Sequence, residues 1–267
     1  MMAKLLRNAG AALLSLMLLG GLLLAALWWG QERLLFMPTV LPAEHRFDFG
    51  ADVQERWIDV PGARLNALHL RLPQPRGVVF FLHGNAGNLQ SWFVNADFYR
   101  RANMDLFMLD YRGYGKSTGR VESEAQLHAD VRAAWDVVAP MYAGGKRVIY
   151  GRSRGSGLAA ALSADARSEL TVLVSPYESM LALAADHYPG VPACVLRYPL
   201  RTDLALPRAK SPVLLVHGER DTLIRPAHSQ RLLALAPGAR LLLVPGAGHN
   251  DLQRFEHYLI GLEEALR

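Results

Sequence analysis

The chain has 267 residues, 51% of them hydrophobic and 20% charged, with a formal net charge of +5. That is the composition of one large globular domain with an apolar surplus. The lone cysteine, Cys194, excludes an internal disulfide, and the absence of any run of five basic residues or of an aromatic-basic array removes nucleic acid from the expected partners.

The surplus sits at the start. Residues 9–29, "AGAALLSLMLLGGLLLAALWW", carry no charge. As a helix at about 1.5 Å per residue they reach about 30 Å, the thickness of a bilayer core. A cleaved signal peptide is the competing reading, but its apolar region spans only about 7–15 residues. This run is longer and ends in Trp28 and Trp29, which suit a membrane interface, so an uncleaved anchor is favoured. Lys4 and Arg7 precede the run, while Gln31, Glu32 and Arg33 follow it. The positive-inside rule then predicts a cytoplasmic N-terminus and a body on the far side, periplasmic in a bacterium. Residues 1–30 are read as the anchor. Residues 31–44, with Pro38 and Pro42, are read as a linker, and 45–267 as one domain.

Within that domain strand and helix patterns alternate. "RWIDV" and "RLNALHLRL" predict an antiparallel pair. The continuous apolar runs 77–83 and 104–110 read as strands covered on both faces. Helical spacing follows over 122–139, then a strand at 146–151 and a helix at 157–164. "LTVLVS", "PVLLVHG" and "ARLLLVPG" add three strands, and 251–266 closes the chain as an amphipathic helix. The alternation predicts an α/β fold with a mostly parallel twisted sheet and helices on both faces. Function is expected at the carboxyl ends of its strands.

One such end carries "GRSRG" (151–155), a serine between glycines that follows a strand and opens a helix. This is the context of a nucleophile elbow, in which the hydroxyl is held above the sheet beside the positive end of a helix. Alone, the pattern is equally a tight glycine turn. Partners in the right order favour chemistry: Asp221 in "HGERDTLIRP" (217–226) and His249 in "GAGHND" (246–251) each follow a strand. His249 is the candidate general base for Ser153, and Asp221 the group that orients it, with Asp251 as the competing acid. The candidate oxyanion donors are the backbone N–H groups of Asn85, in "HGNAGN" (83–88), and of Arg154. His83 and Gly84 are read as shaping that turn. No Cys cluster and no HExxH helix appears, and the nine histidines are scattered, so neither a metal nor a cofactor is expected.

Taken together, "HGNAGN", "DYRGYGKSTG" (110–119), "GRSRGSG", "HGERDTLIRP" and "GAGHND" resemble the α/β-hydrolase superfamily, and within it the membrane-anchored branch of bud-emergence type. The resemblance spans about residues 45–267. It implies hydrolysis of esters or thioesters through Ser153, Asp221 and His249, as in palmitoyl-protein thioesterases and lysophospholipases. Serine-aminopeptidase-like hydrolases share the pattern. It also places a lid in the long segment 176–211, where Met180, Leu181 and Val195 are candidates to line an acyl pocket or to form the lid's own small core. One position departs from the pattern: Arg154 stands where an apolar or small residue is usual. Two roles are open to its side chain, binding an anionic part of the substrate or pairing with a nearby carboxylate, and the second is favoured. Arg152 is expected to pack structurally.

The expected function is a membrane-tethered serine hydrolase acting on acyl esters or thioesters. An aminopeptidase or amidase using the same triad is the alternative, with Glu178 as the acidic group such a peptidase needs for a free amine. A non-catalytic anchored binding domain is the second alternative.

Overall fold

The computed structural model covers residues 1–267. Helix α1 (Met2–Leu35) projects from the body, none of its most apolar 18-residue window being buried. Eight strands then form one sheet: β1 (Val53–Val60), β2 (Ala63–Leu70), β3 (Gly77–Leu82), β4 (Asp105–Leu109), β5 (Lys146–Arg152), β6 (Leu170–Val174), β7 (Val213–Gly218) and β8 (Arg240–Val244). Their spatial order is β8-β7-β6-β5-β3-β4-β2-β1. β2 runs antiparallel to both of its neighbours, and every other pairing is parallel.

The longer helices of the body are α2 (Glu124–Val138), α3 (Arg154–Asp165), α4 (Met180–His187), α5 (Ala227–Leu235) and α6 (Glu256–Leu266). Their starts have local causes. The Ser123 side chain accepts from the Gln126 N–H at 3.1 Å and caps α2. Ser179 does the same for α4 through the Ala182 N–H at 3.0 Å.

The continuous apolar run of β3 is explained by the two cores. Val78, Phe80 and Leu82 enter one cluster, and Val79 and Phe81 enter the other. A strand with period two that is apolar at every position must be covered on both faces. The chain reverses its direction of travel across the sheet at β3, the kind of switch point where α/β sheets open a crevice. Leu82 at the end of β3 pairs with Gly151 near the end of β5, so the loop after β3 lies beside the turn after β5.

Three boundaries differ from the sequence reading. The helix expected at 157–164 begins at Arg154, directly after Ser153, and the closing helix is preceded by a short 3₁₀ turn at Leu252–Arg254. The segment 31–44 is not a free linker. α1 continues through Leu35, Met37–Pro38 pair in parallel with Ala86–Gly87, and Val40 bridges to Gly115. Pro38 and Pro42 signalled a break in helix, but they fit equally an edge ribbon that needs few N–H donors.

A buried polar cluster ties β2 and β4 to the turn after α2. The Tyr142 hydroxyl donates to Asp105, leaving the His69 Nε2–H to donate to that hydroxyl at 2.7 Å. Burial, helped by Arg71 and Arg56, drives the His69 imidazole down from 6.5 to about 3. The unfolded chain therefore binds a proton there that the native state refuses, and stability falls as pH drops from 6.5 towards about 3. His69→Gln is expected to flatten the pH dependence of the thermal midpoint between about pH 6.5 and 4, measured by circular dichroism against wild type.

Candidate active site

Ser153 adopts φ 52 and ψ −123, a left-handed conformation that a non-glycine residue holds only under constraint. Its N–H donates to the Val174 carbonyl at 2.8 Å. The flanking glycines make the turn possible. A Cβ at Gly155 would stand 2.1 Å from the Leu82 carbonyl oxygen, and one at Gly151 would stand 2.4 Å from that of Gly155.

Three loops meet at this serine. The His249 Nε2 accepts from the Ser153 hydroxyl at 3.0 Å, and the Nδ1–H donates to Asp221 Oδ2 at 2.7 Å. Asp221 is buried, which works to raise its carboxyl. Hydrogen bonds from His217, His249 and the Ile224 N–H outweigh the burial and hold it well below the usual carboxylate range. The Leu223 and Ile224 N–H groups both donate to Asp221 Oδ1, at 3.0 and 2.8 Å, and His217 Nε2 lies 3.3 Å from Oδ2. An anionic carboxylate so held fixes the imidazole tautomer and its orientation towards Ser153. Asp251, the competing acid, instead accepts from the Gly248 N–H at 2.7 Å and braces the histidine loop.

No acceptor takes the N–H of Asn85, and that of Arg154, first in α3, lies outside the helix ladder. Both are free for a developing oxyanion. The loop that carries Asn85 is held by residues of "DYRGYG" (110–115), a motif to which the sequence reading gave no role. Buried Asp110 accepts from the Leu89 N–H at 3.1 Å and lies 3.3 Å from His83 Nε2. The Tyr111 hydroxyl donates to the His83 carbonyl at 2.9 Å, and the Tyr114 hydroxyl donates to the Asn85 carbonyl at 2.7 Å. These two carbonyls flank the Gly84–Asn85 peptide, whose own carbonyl accepts from the Arg154 guanidinium at 3.2 Å, and the planarity of that peptide fixes the Asn85 N–H.

The two arginines beside Ser153 take different places. Arg152 lies over the Trp92 ring at 5.6 Å and donates to the His249 carbonyl at 3.0 Å, packing the elbow against the histidine loop. The carboxylate partner expected for Arg154 does not exist. Its guanidinium lies within 4.6, 5.0 and 5.3 Å of the Phe36, Tyr111 and Tyr114 ring centres and donates to the Gly84 carbonyl at 3.2 Å. Aromatic faces substitute for a counter-ion. No feature of the sequence around Arg154 signals this, because Phe36 arrives from the far end of the chain.

Ser153, Asn85 and Arg154 open into a cavity of about 680 Å³. Met180 and Val195 line it, together with Leu183, Ala184 and His187. Leu181 does not. Positions 180, 183, 184 and 187 share one face of α4, and Leu181 lies about 100° away from Met180 around the helix. The opposite wall comes from α1, through Leu27, Gln31, Leu34 and Leu35, which the sequence reading had assigned to the anchor and linker alone. Glu178 is absent from the cavity. It accepts from Arg231 and lies 3.1 Å from His228 Nδ1.

With this geometry in hand, comparison with known proteins is decisive. The chain is 32% identical over 218 residues to an alpha/beta hydrolase domain-containing protein 17C of Xenopus tropicalis, covering 78% of this chain and 68% of that protein. The chain belongs to the α/β-hydrolase superfamily. Residues 73–199 match the family model described as "Serine aminopeptidase, S33". Among solved structures, this α/β hydrolase shares its fold with an esterase of Pyrococcus furiosus, with TM-score 0.69 and 17% identity, covering 87% of this chain and 97% of that one. A soluble variant of monoglyceride lipase from Saccharomyces cerevisiae gives TM-score 0.64 and 16% identity, covering 84% and 98%. The protein is a serine hydrolase.

Tyr114→Phe removes the hydroxyl that holds the Asn85 carbonyl while keeping the ring beside Arg154. The expected outcome is a fivefold to tenfold fall in kcat, equivalent to about 1–1.4 kcal/mol, with KM nearly unchanged and the thermal midpoint lowered by a few degrees, because the Met37 N–H loses its acceptor as well. Steady-state kinetics on a p-nitrophenyl ester, with a parallel melt, checks it.

Proposed function

We propose that the protein is a membrane-tethered hydrolase of carboxylic esters or thioesters, working through an acyl-enzyme on Ser153. The observation that carries the reading is the unbroken array Ser153–His249–Asp221, with two unpartnered N–H groups beside the serine and an apolar cavity in front of it. In this reading the Ser153 oxygen attacks the substrate carbonyl carbon as its proton passes to His249 Nε2. Asn85 and Arg154 N–H groups receive the negative charge on the carbonyl oxygen. The intermediate collapses, and the leaving alcohol or thiol departs with the proton from His249. Water then attacks the acyl-serine, again with His249 as base, releasing the carboxylic acid and restoring the hydroxyl.

An aminopeptidase reading lacks its anchor for a free amine, since no acidic side chain lines the cavity. A binding-only reading leaves unexplained why Ser153 is held in a strained conformation within hydrogen-bond reach of an oriented histidine. The apolar helix with Lys4 and Arg7 before it supports a body on the non-cytoplasmic side.

Ser153→Ala is expected to abolish hydrolysis of p-nitrophenyl butyrate, and labelling by a fluorophosphonate, in a protein that melts like wild type. Asp221→Asn is expected to lower kcat roughly 10⁴-fold. Asp251→Asn, which loosens only a loop contact, is expected to lower it less than tenfold. Near wild-type turnover by folded Ser153→Ala would sink the assignment, and a greater loss in Asp251→Asn would exchange the two acids. For topology, a reporter active only outside the cytoplasm, fused after Arg267, is expected to function in a bacterial host. Activity of a cytoplasm-only reporter at the same place would reverse the orientation.

A further inference from the structure

The last two turns of α1 do more than leave the membrane. At about 1.5 Å per residue the 34-residue helix is about 51 Å long, well beyond the roughly 30 Å of a bilayer core. Burial against the body begins at Leu27 and reaches full depth at Gln31 and Phe36. Residues 9–26, nearly all exposed, carry no charge, and Trp29, 79% exposed, marks the depth of the headgroups. One continuous helix therefore passes from the bilayer to the wall of the active site.

That wall is locked in place. Gln31 is 4% exposed, and both ends of its amide are used: Nε2 donates to the Val195 carbonyl at 3.0 Å, and Oε1 accepts from the Arg197 N–H at 2.8 Å. Glu32 pairs with the Arg197 guanidinium and accepts from the Tyr198 hydroxyl at 3.0 Å. The lid is thus clamped to the helix by its own backbone, and a fully satisfied buried amide specifies one register.

Between clamp and serine lies the apolar cavity, with 13 hydrophobic residues among the 18 that line it. Its α1 side follows positions 27, 31, 34 and 35, one face of the helix. From Leu35 to Leu27 this face rises about 12 Å towards the membrane span. The volume of about 680 Å³ lies in the range of sites that enclose a whole small ligand.

We propose that this cavity takes the acyl chain of a bilayer-resident long-chain ester or thioester, which enters along the α1 face from Leu27 to Leu35 and brings its carbonyl to Ser153. The inference rests on the Ser153 reading with a long-chain acyl substrate and adds to it the source of that substrate, its entry route and a wall that belongs to the anchor. The source follows from the geometry. A chain that starts in the bilayer reaches the cavity beside the same helix, whereas a chain carried in water must first be stripped from its carrier. Transfer from lipid to an apolar cavity gains little per methylene, while transfer from water gains about fourfold in kcat/KM per methylene.

The test uses the full-length protein in phosphatidylcholine vesicles. A hexadecyl fluorophosphonate with a diazirine near its chain end is dissolved in the bilayer, allowed to label Ser153, and illuminated. Peptide mapping is expected to find cross-links within residues 27–35. Labelled Ser153 with no cross-link in that segment would overturn the inference while leaving the hydrolase reading intact. No labelling of the folded protein would overturn both. In a second measurement, Leu27→Trp and Leu35→Trp are compared with wild type on p-nitrophenyl esters of two to sixteen carbons, with melts in parallel. At least one variant with a wild-type melt is expected to shift the preferred chain shorter by four carbons or more, and an unchanged profile in both would count against the wall. Finally, a palmitoyl ester borne in vesicles is expected to be hydrolysed at least tenfold faster than palmitoyl-CoA at equal bulk concentration. Equal or faster hydrolysis of the soluble carrier would assign entry to the aqueous side and overturn the bilayer route.

Discussion

The backbone of Ser153 is the constraint on which the rest depends. Its left-handed conformation is held where β5 turns directly into α3, with no side chain at Gly151 or Gly155 to collide with Leu82 or with the turn itself. Everything chemical follows from that placement. The hydroxyl meets His249, the N–H of Arg154 is left at the mouth of a helix, and the loop after β3 is close enough to supply a second donor. A turn of ordinary geometry at the same point would keep the sheet and lose the site.

Around that turn the molecule spends most of its buried polar groups on orientation rather than on contact with substrate. Asp110, Tyr111 and Tyr114 hold the Asn85 loop. His217 and two N–H groups hold Asp221, and Arg152 and Asp251 hold the loop of His249. Each such group is removed from water and must be satisfied in place. The result is a set of donors and acceptors that need not reorganise when charge develops, which is where electrostatic catalysis gains most.

The sheet and the three loops were legible in the sequence because their signals are local. A continuous apolar run, a serine between glycines, and an acid and a histidine each following a strand can be read within ten residues. Asp221 rather than Asp251 was also favoured by chain order alone. What escaped was decided by distant contacts. The neighbours of Arg154 include Phe36, more than a hundred positions earlier, so its aromatic surroundings were invisible and a carboxylate was expected in their place. Leu181 looked as good a pocket residue as Met180 because the start of α4 sets the helical face, and that start was not assigned. Two prolines led to a linker at 31–44, since composition does not distinguish a loose tether from a ribbon laid along an edge.

That ribbon has a mechanical meaning. Met37 and Pro38 pair with Ala86 and Gly87, the Thr39 N–H donates to the Gly87 carbonyl at 3.1 Å, and the Asn88 side chain donates back to the Thr39 carbonyl at 2.8 Å. The chain leaving the anchor is thus stitched to the residues directly after Asn85. A pull on α1 is borne first by the clamp of Gln31 and Glu32 on the lid and next, with no slack tether between, by the loop that carries Asn85. α1, its clamp on the lid and the Asn85 loop are connected in series, so in the proposed membrane-tethered form a bilayer that tilts the helix strains these joints before it disturbs any strand of the sheet.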